Sequence, residues 1–275
     1  MSKKNNSKAV GKQQSSLWTY ATLAYSAFIL VLFPLMTDQS GFTAITKFKF
    51  RTFLWSSLVY FGAVVLPMIY VWIIKNPRNL SLRKSVLPKR ASYTQLFLIF
   101  YTMWAAASAI LSPYGKQTFM GQGRYDGLIS YLLYTFVFLF VSFWAENHEN
   151  YLRGMAVTGI VFSFISILQL FVKGIINSPG YWFWTQPYMG TIGNVDMVAG
   201  FAALYIPILI SSYVFEEDKR WNPVFLVSIG TFMFAQAIGD ADSGKVGILF
   251  GLLITLPFLL DRKARIKKTP RALAA

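Results

Sequence analysis

The feature that most constrains this fold is a series of long apolar segments recurring from one end of the chain to the other. Most are about as long as the roughly 18 residues that an α-helix needs to cross a bilayer. Backbone polar groups in lipid need partners within their own segment, so such runs predict helices. We therefore predict an all-α, polytopic integral membrane helix bundle of about eight transmembrane helices. The eight segments lie at about 17–36, 53–74, 93–112, 128–145, 154–172, 193–215, 223–238 and 243–260.

Composition supports a membrane protein and sets the expected domain boundaries. Hydrophobic residues make up 55% of the 275 residues and charged residues only 13%, against about 25% charged in soluble domains. We expect a disordered basic cytoplasmic arm at 1–16, a transmembrane helical domain at 17–260 and a basic cytoplasmic tail at 261–275. The chain has no cysteine, which excludes disulfides and thiolate metal sites.

The net charge of +15 is distributed unevenly between the two sides of the predicted membrane. With the N-terminus in the cytoplasm, 19 of the 26 Lys and Arg residues fall on the cytoplasmic side and 7 on the outer side. This bias follows the positive-inside rule and places both termini in the cytoplasm. It also argues against nucleic-acid binding. Membrane lipids are an expected partner, because the basic loop at 75–92 suits anionic headgroups.

A stretch near the C-terminal end has the spacing of a nucleotide-binding loop. Gly239, Gly244 and Lys245 match G-x-x-x-x-G-K, but Val246 stands where that motif needs Ser or Thr to hold magnesium. The preceding segment is uniformly apolar, whereas a P-loop follows a strand of a soluble sheet. We therefore reject nucleotide binding, and we predict no cofactor and no metal.

Three polar, glycine-containing segments stand at the N-termini of the fourth, sixth and eighth predicted helices. They are GQGRYDGL (121–128), GTIGNVDMVAG (190–200) and DADSGKVG (240–247). The predicted topology brings all three to the outer face of the membrane. A helix N-terminus offers unsatisfied N–H groups and a partial positive charge, which favours anions. Ordinary loop turns and caps are the alternative interpretation of each segment taken alone.

Individual residues in these segments have expected roles. Gly193, Gly244 and Gly247 would allow close backbone approach, and Asn194 and Ser243 would cap their helices.

Two cations in the same segments suit a phosphate. Arg124 is the stronger candidate, because its planar fork can bind a phosphate bidentately, and Lys245 is the second. A lysine or arginine that merely reaches from a helix end to the headgroups is the alternative.

Polar and irregular positions elsewhere carry further expectations. Four prolines inside spans should bend them and free carbonyls that neighbouring helices must cover. Gln169 and Gln236 should hydrogen bond between helices. KFKFR (47–51) suits an interfacial anchor or contact with an anionic headgroup. YWFWTQPY (181–188) suits an interfacial anchor or stacking against a sugar. The prolines are Pro34, Pro67, Pro207 and Pro257.

In order and spacing, the three segments resemble the O-antigen ligase and O-antigen polymerase family. GRYDGL resembles its Gly-Arg-aromatic-x-Gly-Leu element, GTIGNVDMVAGF its Gly-Thr-rich element and DSGKVGILFGLL its Ser-Gly element. The resemblance covers about 90–260. It implies a GT-C-like fold and a metal-independent membrane glycosyltransferase. The implied partners are a polyprenyl diphosphate-linked glycan donor, and a glycan or lipid acceptor at the outer face of the bacterial cytoplasmic membrane.

The resemblance also assigns substrate-binding positions, and leaves the catalytic residue unknown. Arg124 matches a position that holds the donor diphosphate, and Asp126 matches one that could orient its guanidinium. The other matching positions are Asn194, Asp196, Ser243 and Lys245.

This chain departs from the family pattern because the large outer loop, with its expected catalytic histidine, does not follow. Its single histidine, His148, falls in a predicted cytoplasmic loop and is expected to have no role. The alternatives are a catalytically inactive partner of a complementing subunit, or a transporter of lipid-linked glycan. A transporter would need charged residues near the middle of several spans, and the sequence shows almost none.

Overall fold

The computed structural model describes residues 18–37, 42–70, 92–145, 148–172, 190–239 and 241–272. Within these ranges the chain is helical and contains no strand. The helices are α1 (Trp18–Leu35), α2 (Phe42–Ile69), α3 (Tyr93–Leu111), the short α4 (Lys116–Met120), α5 (Leu128–Trp144), α6 (His148–Val172), α7 (Val195–Phe215), α8 (Asn222–Gly239) and α9 (Asp242–Ala272). The N-terminal arm, most of the basic loop at 75–92 and the aromatic segment at 181–188 lie outside the described residues.

The predicted class is confirmed, because seven of these helices are long and apolar enough to cross a membrane. The remaining predicted span, the fourth (128–145), corresponds to α5, an apolar helix of 17 residues that falls just below that length. Charged residues lie near the ends of the candidate spans or beyond them. The deepest in α2 is Arg51, in the second turn of a span that begins at Ile45.

Two helices begin earlier than the apolar pattern predicted. Helix α2 starts at Phe42 rather than near 53, so KFKFR (47–51) is helical, and α6 starts at His148 rather than near 154. The reason is that an apolar run marks only the lipid-buried part of a helix. Polar residues continue the same helix, since long basic side chains can extend to the headgroups.

The described chain divides into two compact units. Unit 1 contains the residues up to Ile29 and those from Thr46 to Asn147. Its helices α3 and α5 are antiparallel, because Gln95 Nε2 donates to Ser142 Oγ (2.7 Å) while the hydroxyls of Thr102 and Thr135 bond to each other further along. Its core consists of Trp18, Tyr25, Tyr60 and Val64, with partly buried side chains of α5 packed around them.

Unit 2 contains Leu30–Ile45 and the residues from His148 onward, and therefore helices α6 to α9. Helices α7 and α9 run parallel in close contact, since Gly244, Gly247 and Gly251 face Ala199, Ala203 and Pro207 in the same order. The core of unit 2 is more extensive than that of unit 1 and is rich in aromatic rings. Its largest fully buried side chains include Phe162, Phe225, Phe232, Ile206 and Leu209.

The end of α1 shows how the chain accommodates Pro34. The helix loosens into a π turn over Phe28–Leu32 and then tightens into a 3-10 turn over Phe33–Leu35. Proline has no N–H to offer the carbonyl of Leu30, and the Tyr205 hydroxyl donates to that carbonyl instead, at 2.9 Å. At Pro34, the expectation that neighbouring helices cover the freed carbonyls is confirmed. Thr158 likewise donates to the Val31 carbonyl (3.1 Å) and Thr191 to that of Pro34.

Candidate functional site

The first predicted segment forms a tight loop in unit 1 between α4 and α5, which we name the Arg124 loop (residues 121–127). Gly121 and Gly123 adopt left-handed φ angles of +75° and +77°. A Cβ atom on Gly121 would lie 2.5 Å from the amide nitrogen of Asp126 and 2.7 Å from that of Gly127. The two ends of the loop therefore touch through backbone, and only glycine fits at this neck.

One residue in the loop has an unusual backbone for its type. Tyr125 has a φ of 59°, the only positive φ of a non-glycine residue among those described. Its ring stacks on Phe50 of α2, with centroids 4.8 Å apart and planes 13° from parallel. The hydroxyl of Ser130, in the first turn of α5, donates to the Tyr125 carbonyl. The residue with the least favourable backbone conformation in the loop is thus held by contacts to both α2 and α5.

Arg124 and Asp126 flank Tyr125, and both side chains are exposed. No hydrogen bond or ion pair joins these two residues in the described structure, although the resemblance suggested that Asp126 orients the guanidinium. Lys116, at the start of α4, is a further exposed cation in the same connection between α3 and α5. The Arg124 loop therefore exposes a cation that forms no ion pair with the carboxylate of Asp126.

An apolar groove lies on the last turns of α3, at the end of unit 1 that carries the Arg124 loop. It has a volume of about 490 Å³. The antiparallel pairing of α3 and α5 places the C-terminal end of α3 beside the N-terminal end of α5, which the loop precedes. Small residues and larger apolar ones both line the groove. The lining residues are Trp104, Ala107, Ser108, Leu111, Ser112 and Pro113.

The second predicted segment forms the turn that leads into α7, in unit 2. Asn194 is the N-cap of α7, as predicted: its side chain accepts a hydrogen bond from the Asp196 amide at 2.8 Å. The turn is held from α6 by Gln169, which accepts from the Gly190 amide (2.9 Å) and donates to its carbonyl (3.3 Å). These two bonds join α6 to the backbone of the buried turn before α7, where a bond to another helix was expected.

From Asp242 onward the third predicted segment belongs to α9, which begins one residue before the predicted span. Helix α9 begins at Asp242, so Ser243 lies inside its first turn, and the expectation that Ser243 is the N-cap is wrong. Lys245 also lies within the helix and forms an ion pair with Asp242 at 2.9 Å. Gln236 donates to the Ala241 carbonyl (2.9 Å), again binding a turn rather than the next helix as predicted.

The glycines of this segment serve helix packing. A Cβ on Gly244 would lie 2.7 Å from that of Ala199, and one on Gly247 would lie 2.8 Å from that of Ala203. Gly251 continues the stripe, since its Cβ would lie 2.6 Å from the Pro207 ring. The close approach expected of Gly244 and Gly247 is therefore to α7, through the small-residue contact common between membrane helices.

The structure brings the six predicted site residues together in two groups. Arg124 and Asp126 share one loop of unit 1. The other four lie at one end of unit 2, because α7 and α9 are parallel with their N-termini at the same end. Those helix starts already carry the carboxylates of Asp196 and Asp242, which complement the helix dipoles. The second group is Asn194, Asp196, Ser243 and Lys245.

An ion pair that the sequence did not suggest lies at the opposite end of unit 2. Arg153 donates two hydrogen bonds to Glu216, at 2.6 and 2.9 Å, and its guanidinium lies 5.4 Å from the centre of the Trp221 ring. These hydrogen bonds hold the pKa of the buried Glu216 carboxyl below its usual value. The two residues are 63 positions apart in the sequence, so no local spacing of charges predicts this ion pair.

No known relative helps to interpret either group of residues. Comparisons with protein-family models, with curated proteins and with solved structures find no match to this chain. Within the described ranges, no three His, Asp or Glu side chains lie close enough to hold a metal ion.

Proposed function

We propose that the protein handles a polyprenyl diphosphate-linked glycan at the outer face of the bacterial cytoplasmic membrane. It would act as a surface-polysaccharide ligase or polymerase of the GT-C-like type, or as the donor-binding portion of one. Both termini would then lie in the cytoplasm. The proposal rests on the resemblance of the three segments and on the chemistry of the Arg124 loop.

The observation that carries the proposal is the contrast between the two predicted cations. Lys245 is paired with Asp242, so its charge is already compensated. Arg124 is exposed on a loop of closed geometry and forms no ion pair with any described residue. A diphosphate would gain most at Arg124, since a charge-assisted bond to a planar fork is strong and needs no existing pair to be broken.

The groove at the end of α3 supports a lipid-linked ligand over a free phosphate. An isoprenoid tail could lie along Trp104 and Leu111, while its headgroup reaches the level of the Arg124 loop. Trp104 and Leu111 are 78% and 83% exposed, so their apolar surface is open to van der Waals packing against a prenyl chain.

The test is the binding of a polyprenyl diphosphate-linked sugar to the purified protein in detergent. Arg124→Ala should weaken binding by about tenfold to a hundredfold, the loss expected for one charge-assisted hydrogen bond in a partly dehydrated site. Arg124→Lys should recover part of this affinity, because it keeps the charge but loses the bidentate fork.

Two matched variants make the result specific. Lys245→Ala should change the affinity less than Arg124→Ala, because Lys245 is already paired. Arg220→Ala removes an exposed arginine before α8, on the predicted cytoplasmic side, and should have no effect. Equal affinity of wild type, Arg124→Ala and Arg220→Ala would remove the basis of the proposal and favour an inactive membrane partner.

A further inference from the structure

The conformation of Tyr125 is the one strained backbone position among the described residues outside glycine. A left-handed φ is uncommon for a bulky residue and persists only where the surroundings enforce it. We infer that Tyr125 is a positioning residue, which holds the Arg124 loop in the one conformation that presents Arg124 outward. The identity of the ligand at Arg124 rests on the proposed function, but the positioning role does not.

Two contacts enforce the strained backbone, and they act on different parts of Tyr125. The side chain is fixed by the nearly parallel stack on Phe50. The main chain is fixed by the Ser130 hydroxyl, which donates a hydrogen bond to the Tyr125 carbonyl. Helices α2 and α5 of unit 1 thus clamp the residue from two directions.

The consequence for Arg124 follows from the geometry of a short loop. Gly121 and Gly127 already touch at the neck, so the five residues between them have few ways to close. With Tyr125 turned inward onto Phe50, both of its neighbours are exposed. Without the ring contact the left-handed conformation loses its support, and the loop would relax to several conformations that carry the guanidinium in different directions.

The chain offers a clean way to observe this loop, because it contains no cysteine. Gln122→Cys places a single spin label on an exposed loop residue next to Gly123. We expect an ordered spectrum in the otherwise unchanged protein, and a mobile one after Phe50→Leu or Tyr125→Ala. Tyr125→Phe should keep the ordered spectrum, since it retains the stacked ring.

Phe53→Leu is the matched control for Phe50→Leu. Phe53 lies one turn further along α2, and its ring packs on Tyr134 of α5, with centroids 5.3 Å apart. The control should lose a similar amount of apolar contact without mobilising the label. Any variant is compared only if its thermal unfolding stays cooperative.

Binding of the polyprenyl diphosphate-linked sugar separates this inference from the proposed function. If both hold, Phe50→Leu should mobilise the label and weaken binding by about threefold to tenfold, because a long side chain must then be ordered on binding. A mobile label with unchanged affinity would support the positioning role and overturn the diphosphate site. An ordered label in both Phe50→Leu and Tyr125→Ala would overturn the positioning role.

Discussion

At the scale of single residues, three buried polar side chains satisfy backbone groups of irregular segments between or within the helices. Tyr205 donates to the carbonyl that Pro34 frees, and Gln169 and Gln236 hold the turns before α7 and α9. An unsatisfied carbonyl in a lipid-buried core is unfavourable, so each such bond supports an irregular segment.

Tyr205→Phe should destabilise the protein by about 1 kcal/mol, because the Leu30 carbonyl loses its donor while the packing is kept. Tyr205 is only 2% exposed, whereas Tyr20 is 66% exposed and serves as the control. Thermal unfolding in detergent should show a lower midpoint for Tyr205→Phe and no change for Tyr20→Phe. Equal midpoints would mean that the bond contributes nothing.

The ion pair of Arg153 and Glu216 gives a prediction on pH. The pKa of Glu216 is lowered in the folded state by the hydrogen bonds from Arg153. Its carboxylate therefore contributes stability above the unfolded pKa of about 4.3, and that contribution is lost as the pH falls through the lowered folded pKa. Glu216→Gln should destabilise the protein at pH 7, with a difference from wild type that shrinks towards pH 3.

The control for this pH dependence is Glu217→Gln, which changes the exposed neighbouring carboxylate. At pH 7 it should lower the unfolding midpoint less than Glu216→Gln does. A difference between wild type and Glu216→Gln that stays constant from pH 7 to pH 3 would contradict the coupling to Arg153.

At the scale of elements, the contact of α7 with α9 depends on small residues that allow two parallel helices to approach closely. Gly244, Gly247 and Gly251 form one stripe, and the opposing residues are Ala199, Ala203 and Pro207. In lipid there is little hydrophobic force between helices, so this close packing provides much of their association.

Gly251→Ala should therefore destabilise the protein by about 1–3 kcal/mol, because the new methyl group would overlap the Pro207 ring. Gly230→Ala is the matched control, since nothing lies within 4 Å of a Cβ at that position of α8. That control should be neutral or stabilising by up to about 1 kcal/mol through better helix propensity. The prediction fails if the unfolding midpoints of the two variants move together.

At the scale of the whole molecule, the asymmetric charge predicts how the helices cross the membrane. Reporter fusions at Lys84 and Lys267 should report the cytoplasm, and fusions at Arg124 and Lys245 the outer side. Alkaline phosphatase and a cytoplasmic fluorescent protein give opposite signals at each position. Arg124 or Lys245 on the cytoplasmic side would contradict the predicted outer face of the segments that precede α5 and open α9.

The helical class and most helix positions could be predicted from the sequence because both depend on local properties. The length of an apolar run decides whether a segment can cross lipid, and an asparagine before it predicts a cap such as Asn194. Helix ends were less predictable where polar residues extend a span, as KFKFR (47–51) does in α2.

The candidate site was only partly predictable, because its contacts join residues far apart in the chain. Tertiary structure alone decided that Phe50 supports Tyr125, that Gly244 packs on Ala199, and that Arg153 meets Glu216. Apolar composition determines that helices form, but many pairings and registers bury the same apolar area. The particular pairing of α7 with α9 makes Gly244, in a motif that resembles a phosphate loop, part of a helix contact.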